Sequence, residues 1–126
     1  MHAYLKVTVD ESMRLITLRL KGAEPSAVYT ELLLRAYDGI DQPWLYNRLL
    51  DYRQFSSLLD YSDVERLAAD WALRVEGQVY TAKVAILTFD ALTPARAASF
   101  AHLFPNNTVR SFDELHTALN WLNAPA

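Results

Sequence analysis

The sequence predicts an α/β fold, in which residues 1–126 form a single domain with a mixed five-stranded sheet and four helices in the order ββαβαβαβα. The apolar run AKVAIL at 82–87 is typical of a central strand covered by helices, because a strand with one exposed face alternates. The segment LYNRLLDYR at 45–53 indicates another inner strand. The chain ends in a β-rich run at 108–112 that passes directly into the amphipathic segment DELHTALNWL.

A β-hairpin is predicted at the start of the chain. Apolar residues alternate with polar ones at 5, 7 and 9 and again at 16, 18 and 20, which is the period of strands with one buried face. A helix is predicted next, over Pro25–Asp38, because proline suits a first helical position and Gly39 lies where the helix would stop. The residues predicted for its inner face are Val28, Leu32 and Ala36. A third strand is expected over Leu45–Tyr52.

The 62–75 segment has the clearest helical period. Its apolar residues recur at three- and four-residue steps, as in a helix that packs one face on a core. They are Val64, Leu67, Ala68, Trp71, Ala72 and Val75. Ser62 and Glu65 form the S-x-x-E pattern of a capping box, in which the serine oxygen accepts a backbone N–H. Ser62 is therefore predicted to be the N-cap of this helix.

The last third of the chain predicts strand, helix, strand and helix. The central strand spans Ala82–Thr88, and Thr93-Pro94 indicates the start of a helix that stops before Pro105. The residues expected to be buried by that helix are Ala97, Phe100, Leu103 and Phe104. A short strand is predicted over Val109–Phe112. The final helix follows, with an apolar stripe formed by Leu115, Ala118, Leu119 and Leu122.

Composition excludes several classes of function. The net charge of -3 gives no general attraction for phosphate backbones, so nucleic-acid binding is not expected. The absence of cysteine removes disulfides, thiolate metal sites and cysteine nucleophiles, and it suits a reducing compartment. No apolar run approaches the roughly 20 residues that span a bilayer. The N-terminus MHAYLKVTVDE alternates rather than forming a signal sequence, so a cytoplasmic protein is expected.

The sequence also lacks a recognisable catalytic constellation. The imidazoles are those of His2, His102 and His116, and none lies at a metal-ligand spacing from a carboxylate. With 3 glycines in the chain, there is little material for a phosphate-binding loop. A protein without a cofactor or metal, and without catalytic activity, is therefore predicted.

Four features of the sequence point to one known family: the element order, the strand ending LLDYR, the later strand VAIL and the terminal VRSFDELHTALNWL. In these features the chain resembles the SpoIIAA-like branch of the STAS fold. The resemblance covers most of the chain, and it implies this fold. STAS anti-sigma-factor antagonists bind a partner kinase, which phosphorylates an Asp-Ser-Ser-Gly type motif at the start of the second helix. The matching segment here reads Asp60-Tyr61-Ser62-Asp63, so Ser62 is the candidate phosphorylation site. Because Asp60 and Asp63 would repel a phosphate, a structural cap is the preferred interpretation of Ser62.

The connection from Asp51 to Tyr61 is the predicted working surface. It is long for a strand-to-helix connection, and it follows the carboxyl end of a strand, where open α/β sheets bind ligands. The candidate residues are Asp51, Tyr52, Arg53, Phe55, Leu58, Leu59 and Tyr61. The apolar members either plug the end of the core, rim a small apolar cavity or dock a second protomer. Asp51 and Arg53 form either a polar mouth or a surface ion pair.

Two functions from different classes follow. The first is a non-catalytic binding or regulatory module that acts through protein–protein contacts and can form homodimers, which the family resemblance implies. The alternative is a carrier of a small apolar or lipid-like ligand, because the SpoIIAA-like branch is often grouped with CRAL-TRIO lipid-binding domains. In that case the 51–61 segment would act as a lid.

Overall fold

The structure is a computed structural model that describes residues 4–125. Its strands are β1 (Tyr4–Asp10), β2 (Leu15–Gly22), β3 (Asn47–Phe55), β4 (Ala82–Leu87) and β5 (Asn107–Phe112). Its α-helices are α1 (Ser26–Asp38), α2 (Tyr61–Arg74), α3 (Thr93–Phe100) and α4 (Leu115–Asn123). Two short 3-10 turns, Pro43–Leu45 and Ala101–Leu103, complete the regular structure of the described residues. The predicted order ββαβαβαβα is confirmed.

The five strands form one sheet in chain order, β1-β2-β3-β4-β5. β1 is antiparallel to β2, and the remaining neighbours are parallel, so the predicted mixed sheet is confirmed. The carboxyl ends of β2 to β5 therefore lie at the same edge. β4 is buried along nearly its whole length, with only Lys83 partly accessible, as its continuous apolar run predicts.

Both faces of the sheet carry a core. On one face, Ile16, Leu18 and Leu20 of β2 pack under α1 and α2. The helical residues of this cluster are Tyr29, Leu33, Tyr37 and Trp71. On the opposite face, β-strand residues such as Leu49 and Ala85 pack against Ala118 and Leu122 of α4. The alternation of side chains along each strand divides the sheet residues between these two layers.

The prediction for the inner face of α1 was wrong by one position. Val28 is exposed, and Leu32 and Ala36 are only partly buried. The buried apolar positions are those of Tyr29, Leu33 and Tyr37. The tyrosine rings cover more apolar area than valine or alanine, and a buried hydroxyl is tolerated when it is hydrogen-bonded. The Tyr29 hydroxyl donates to the Lys21 carbonyl at 2.9 Å, which satisfies this condition.

The strand β3 differs from its predicted bounds at both ends. Leu45 belongs to a 3-10 turn, and the strand continues to Phe55 rather than ending at Tyr52. The connection to α2 is therefore residues 56–60, shorter than the predicted Asp51–Tyr61 loop. Pairing with β2 extends the strand, because Gln54 and Phe55 lie opposite Lys21 and Gly22.

The predicted capping box at the start of α2 is also wrong. The helix begins at Tyr61 with Asp60 at the N-cap, and no side chain makes a capping hydrogen bond. Ser62 is an exposed residue of the first turn. A tertiary contact fixes the earlier start, because the Asp60 backbone N–H donates to Oγ of Ser26 at 2.8 Å. The Asp60 carbonyl then accepts from the Val64 N–H at 3.0 Å, which begins the helical hydrogen bonding.

Candidate functional site

A cavity of about 160 Å³ lies between the sheet and the helices α2 and α3. Its walls come from β3, β4, the 56–60 connection, α2, α3, the second half of α1 and the start of β5. Four of the predicted site residues line it, namely Tyr52, Phe55, Leu58 and Leu59. Most of the remaining wall is aliphatic or aromatic, including Trp71 and Ile86. The geometry is that of an apolar chamber with polar groups concentrated at its two ends.

A β-bulge in β3 brings Tyr52 and Phe55 to the same wall. Arg19 lies opposite Asp51 and Lys21 lies opposite Gln54, so two steps along β2 face three steps along β3. The extra residue reverses the side-chain alternation beyond the bulge. The rings of Tyr52 and Phe55 lie 5.2 Å apart between centroids as a result. Without the bulge, Phe55 would point to the opposite face of the sheet.

The inner end of the cavity contains Arg48 and Asn107. Arg48 has the same side-chain orientation as Leu50 along β3, so it points towards α2, and only 4% of it is exposed. Its guanidinium carbon lies 4.2 Å from the centroid of the Trp71 ring, and its Nη2 group donates to Oδ1 of Asn107. The indole N–H of Trp71 donates to the Tyr80 hydroxyl at 2.7 Å, which fixes the ring under the guanidinium.

The other end of the cavity lies beyond the carboxyl end of β4. Thr88, Asp90, Thr93 and Arg96 line it. The Thr88 hydroxyl accepts from the Asp90 backbone N–H at 3.0 Å, and the Asp90 carboxylate accepts from the Leu92 N–H at 3.0 Å. These bonds hold the β4–α3 connection in a compact turn. Asp90 is exposed, so this end is closer to solvent than the Arg48 end.

Tyr52 contributes a neutral phenol to the cavity wall. Burial raises its pKa, and the neighbouring Tyr37 raises it further. The phenol therefore keeps its proton throughout the physiological range. Its chemistry in the cavity is that of a hydrogen-bond donor and an apolar surface, not that of a base.

Asp51 and Arg53 lie on the opposite face of the sheet and do not line the cavity. The Asp51 carboxylate accepts from the Arg53 backbone N–H at 3.1 Å, from Arg53 Nε at 3.0 Å and from Arg19 Nε at 3.2 Å. Burial raises the pKa of Asp51, but the hydrogen bonds from Arg53 and the charges of Arg53 and Arg19 outweigh it, so the pKa lies below its usual value. The geometry is that of an ion pair within the sheet face.

Tyr61 and Ser62 lie on the outer surface of α2. The Tyr61 ring packs 5.5 Å from that of Phe100, and its hydroxyl lies 3.2 Å from Nε2 of His102. Ser62 is exposed and lies between Asp60 and Asp63 in sequence, and its phosphorylation stays a prediction. Neither residue belongs to the cavity wall.

The imidazoles are not brought together. His102 faces Tyr61, His116 lies 3.2 Å from Nδ2 of Asn120 on α4, and His2 lies outside the described residues. Within residues 4–125, no three acidic or histidine side chains are grouped as ligands for a metal ion. None of the helices in that same range has the length and apolar character required to cross a bilayer.

Sequence reasoning missed Arg48, Trp71 and Asn107 as members of a site. One signal was available for Arg48. Arg48 lies between Tyr46 and Leu50 on the face of the predicted strand that points to the core. A charged residue between apolar neighbours on such a face requires a partner or a ligand. Trp71 was correctly predicted to be buried, but its position under a guanidinium depends on tertiary structure.

No protein-family model and no curated protein matches the chain. Among solved structures, it is similar to an uncharacterized protein of the DUF3478 family from Shewanella loihica PV-4, which has a SpoIIAA-like fold. The TM-score is 0.62, and the match covers 97% of this chain and 96% of that chain at 20% sequence identity. A likeness at this identity shows the fold. The chain thus has a SpoIIAA-like α/β fold, as the resemblance in its sequence implied.

Proposed function

We propose that the protein is a non-catalytic carrier that binds a small apolar or amphipathic molecule in the cavity between the sheet and the helices α2 and α3. The observation that supports this most directly is the cavity itself. Interiors of small domains are close-packed, and voids larger than a water molecule are few. The cavity here, at about 160 Å³, is well above that size, and most of its lining is apolar. A bound apolar group would make packing contacts that the lining residues otherwise lack.

The size and lining favour a ligand of modest dimensions. An engineered cavity of about 150 Å³ lined by leucine, isoleucine and phenylalanine binds benzene. The chamber here is similar in volume, at about 160 Å³, and has polar groups only towards its ends. Guanidinium, amide and hydroxyl groups in such an arrangement orient a ligand rather than transform it.

The 56–60 connection forms a short cover over the cavity. Its first residue is anchored by the Ser56 N–H, which donates to the Gly22 carbonyl at 2.8 Å. Its last residue is anchored by the Asp60 N–H, which donates to Ser26 Oγ at 2.8 Å. Leu58 and Leu59 lie between these anchors and line the cavity, and Leu58 is 44% exposed. This segment is the proposed entry route for a ligand.

A cavity-filling substitution tests the proposal. Ala97 is a buried wall residue of α3, and Ala98 is its exposed neighbour outside the wall. With 1-octanol as an uncharged probe, the wild-type protein and Ala98→Leu should be stabilised against thermal unfolding as the probe concentration rises. Ala97→Leu places three more carbon atoms in the chamber and should weaken this response. An equal response of the two variants would contradict binding in the cavity.

A second candidate is the binding module that acts through protein contacts, including contacts between two copies of this chain. Phe89 is 70% exposed and Leu92 is 61% exposed, and both lie beside Asp90 at the outer end of the cavity. Exposed apolar side chains grouped at one edge favour an interaction surface. Sedimentation of the wild type and of a Phe89→Ser, Leu92→Ser variant tests this, since only the wild type should associate.

A further inference from the structure

We propose that the ligand of this cavity is a monocarboxylate whose head group binds Arg48 and Asn107 at the inner end, a proposal that rests on the carrier function above. The apolar part of the ligand would then occupy the chamber between β4 and the helices α2 and α3. The anion is inferred from the charge and hydrogen-bonding state of these two side chains.

The charge of Arg48 has no partner within the described chain. Arg48 is 4% exposed, and none of the ion pairs among residues 4–125 includes it. Asp90 is the one acidic residue in the described wall of the cavity, and it lies past the far end of β4. Val84 is the residue of β4 level with Arg48, and the run from Val84 to Thr88 separates the two ends by about 13 Å. A buried guanidinium requires a counter-charge, because burial strongly penalises an isolated ion.

The aromatic ring beside Arg48 offsets only part of this penalty. The Trp71 ring lies 4.2 Å from the guanidinium carbon and makes a cation–π contact. The ring carries no negative charge, and Nε of the guanidinium has no hydrogen-bond partner among the described residues. An anion that accepts from Nε can therefore bind beside the ring.

Two donors at this end also lack acceptors. Nε of Arg48 and Nδ2 of Asn107 are buried, and neither has a hydrogen-bond partner among the described residues. The Asn107 amide oxygen is occupied by Arg48 Nη2, so the amide N–H₂ group is left as a donor. Unpaired donors without a nearby acceptor indicate a ligand that supplies acceptor oxygens. A carboxylate supplies them on two oxygens and also neutralises the arginine.

The chamber limits the rest of the ligand. Its volume of about 160 Å³ suits an apolar body of about six to ten non-hydrogen atoms, judged from the cavity of about 150 Å³ that binds benzene. One guanidinium at the inner end matches a single negative charge. Octanoate meets both conditions, and octanamide has nearly the same shape without the charge.

Calorimetric titration with octanoate and with octanamide tests the inference. Wild-type protein should bind octanoate at least about tenfold more tightly, because the carboxylate neutralises the buried guanidinium and accepts on two oxygens, whereas the amide offers one acceptor oxygen and no charge. Arg48→Met should abolish this preference, with a much smaller loss of affinity for octanamide than for octanoate. Arg96→Met is the matched control, since Arg96 lines the other end of the cavity, and it should keep the preference.

The outcomes separate this inference from the carrier function. If octanamide binds as tightly as octanoate, or if Arg48→Met keeps the preference, the carboxylate proposal is overturned and the carrier function stands. If the wild type binds neither compound, both are overturned. Should Arg48→Met fail to fold, Asn107→Leu provides the second test, because it removes one donor and should reduce the preference severalfold. Unchanged selectivity in that variant would also overturn the proposal.

Discussion

Replacing Phe55 with alanine tests whether the last residue of β3 belongs to the core. The Phe55 ring packs edge-on against Tyr29 with centroids 4.6 Å apart, and it also contacts Tyr52 at 5.2 Å. Truncation of a buried phenylalanine costs about 3–5 kcal/mol. Phe55 is partly accessible at the cavity, so we expect a value near the lower limit, about 3 kcal/mol, for Phe55→Ala.

Urea unfolding followed by tryptophan fluorescence measures this loss of free energy. Leu58→Ala is the matched control, because Leu58 lies three residues further along the chain, in the 56–60 connection, and is 44% exposed. Its effect should be about 1 kcal/mol or less. Comparable losses of unfolding free energy in the two variants, or a loss below about 1 kcal/mol for Phe55→Ala, would refute the conclusion that the bulge directs the Phe55 ring towards the core.

Other substitutions test the start of α2 and the ion pair on the opposite face. Ser62→Ala should change the free energy of unfolding by less than about 0.5 kcal/mol, whereas Ser26→Ala should lower it by about 1 kcal/mol. The reason is that Ser26, and not Ser62, accepts the hydrogen bond that anchors the start of α2. Urea midpoints of the two variants check this, and the reverse order would restore the capping box. Asp51 has a folded-state pKa below the value of 3.8 expected when unfolded, so its stabilisation is present above that pH and is lost as the pH falls below it. Asp51→Asn should therefore be less stable at pH 7 and should lose less stability on acidification, and parallel pH profiles of the two proteins would contradict this.

The elements that could be predicted from sequence are those whose signal is local. The apolar run of β4 and the alternation of the hairpin give strands at the predicted places. The inner face of α1 was predicted one position away, because the prediction placed aliphatic residues inside and the structure buries tyrosines. The Tyr29 hydroxyl is satisfied by a carbonyl of β2, and that contact exists only in the tertiary structure.

The candidate site was predictable only in part for the same reason. Tyr52, Phe55, Leu58 and Leu59 were selected as apolar residues near a strand end, and all four line the cavity. Asp51 was included by proximity in sequence, but strand alternation places it on the other face. The bulge that places Tyr52 and Phe55 on one wall depends on how β3 pairs with β2. The sequence of β3 alone does not encode that register.

The order of the strands in the sheet has a consequence for how the chain folds. Each strand pairs with the strand that follows it in sequence, so every pairing can form as soon as the next strand is available. During synthesis, the walls contributed by β3, α2 and β4 are made before β5, which supplies Asn107. Arg48 therefore gains its hydrogen-bonding partner only at the last strand pairing, and the chamber lacks the wall that β5 supplies until that step.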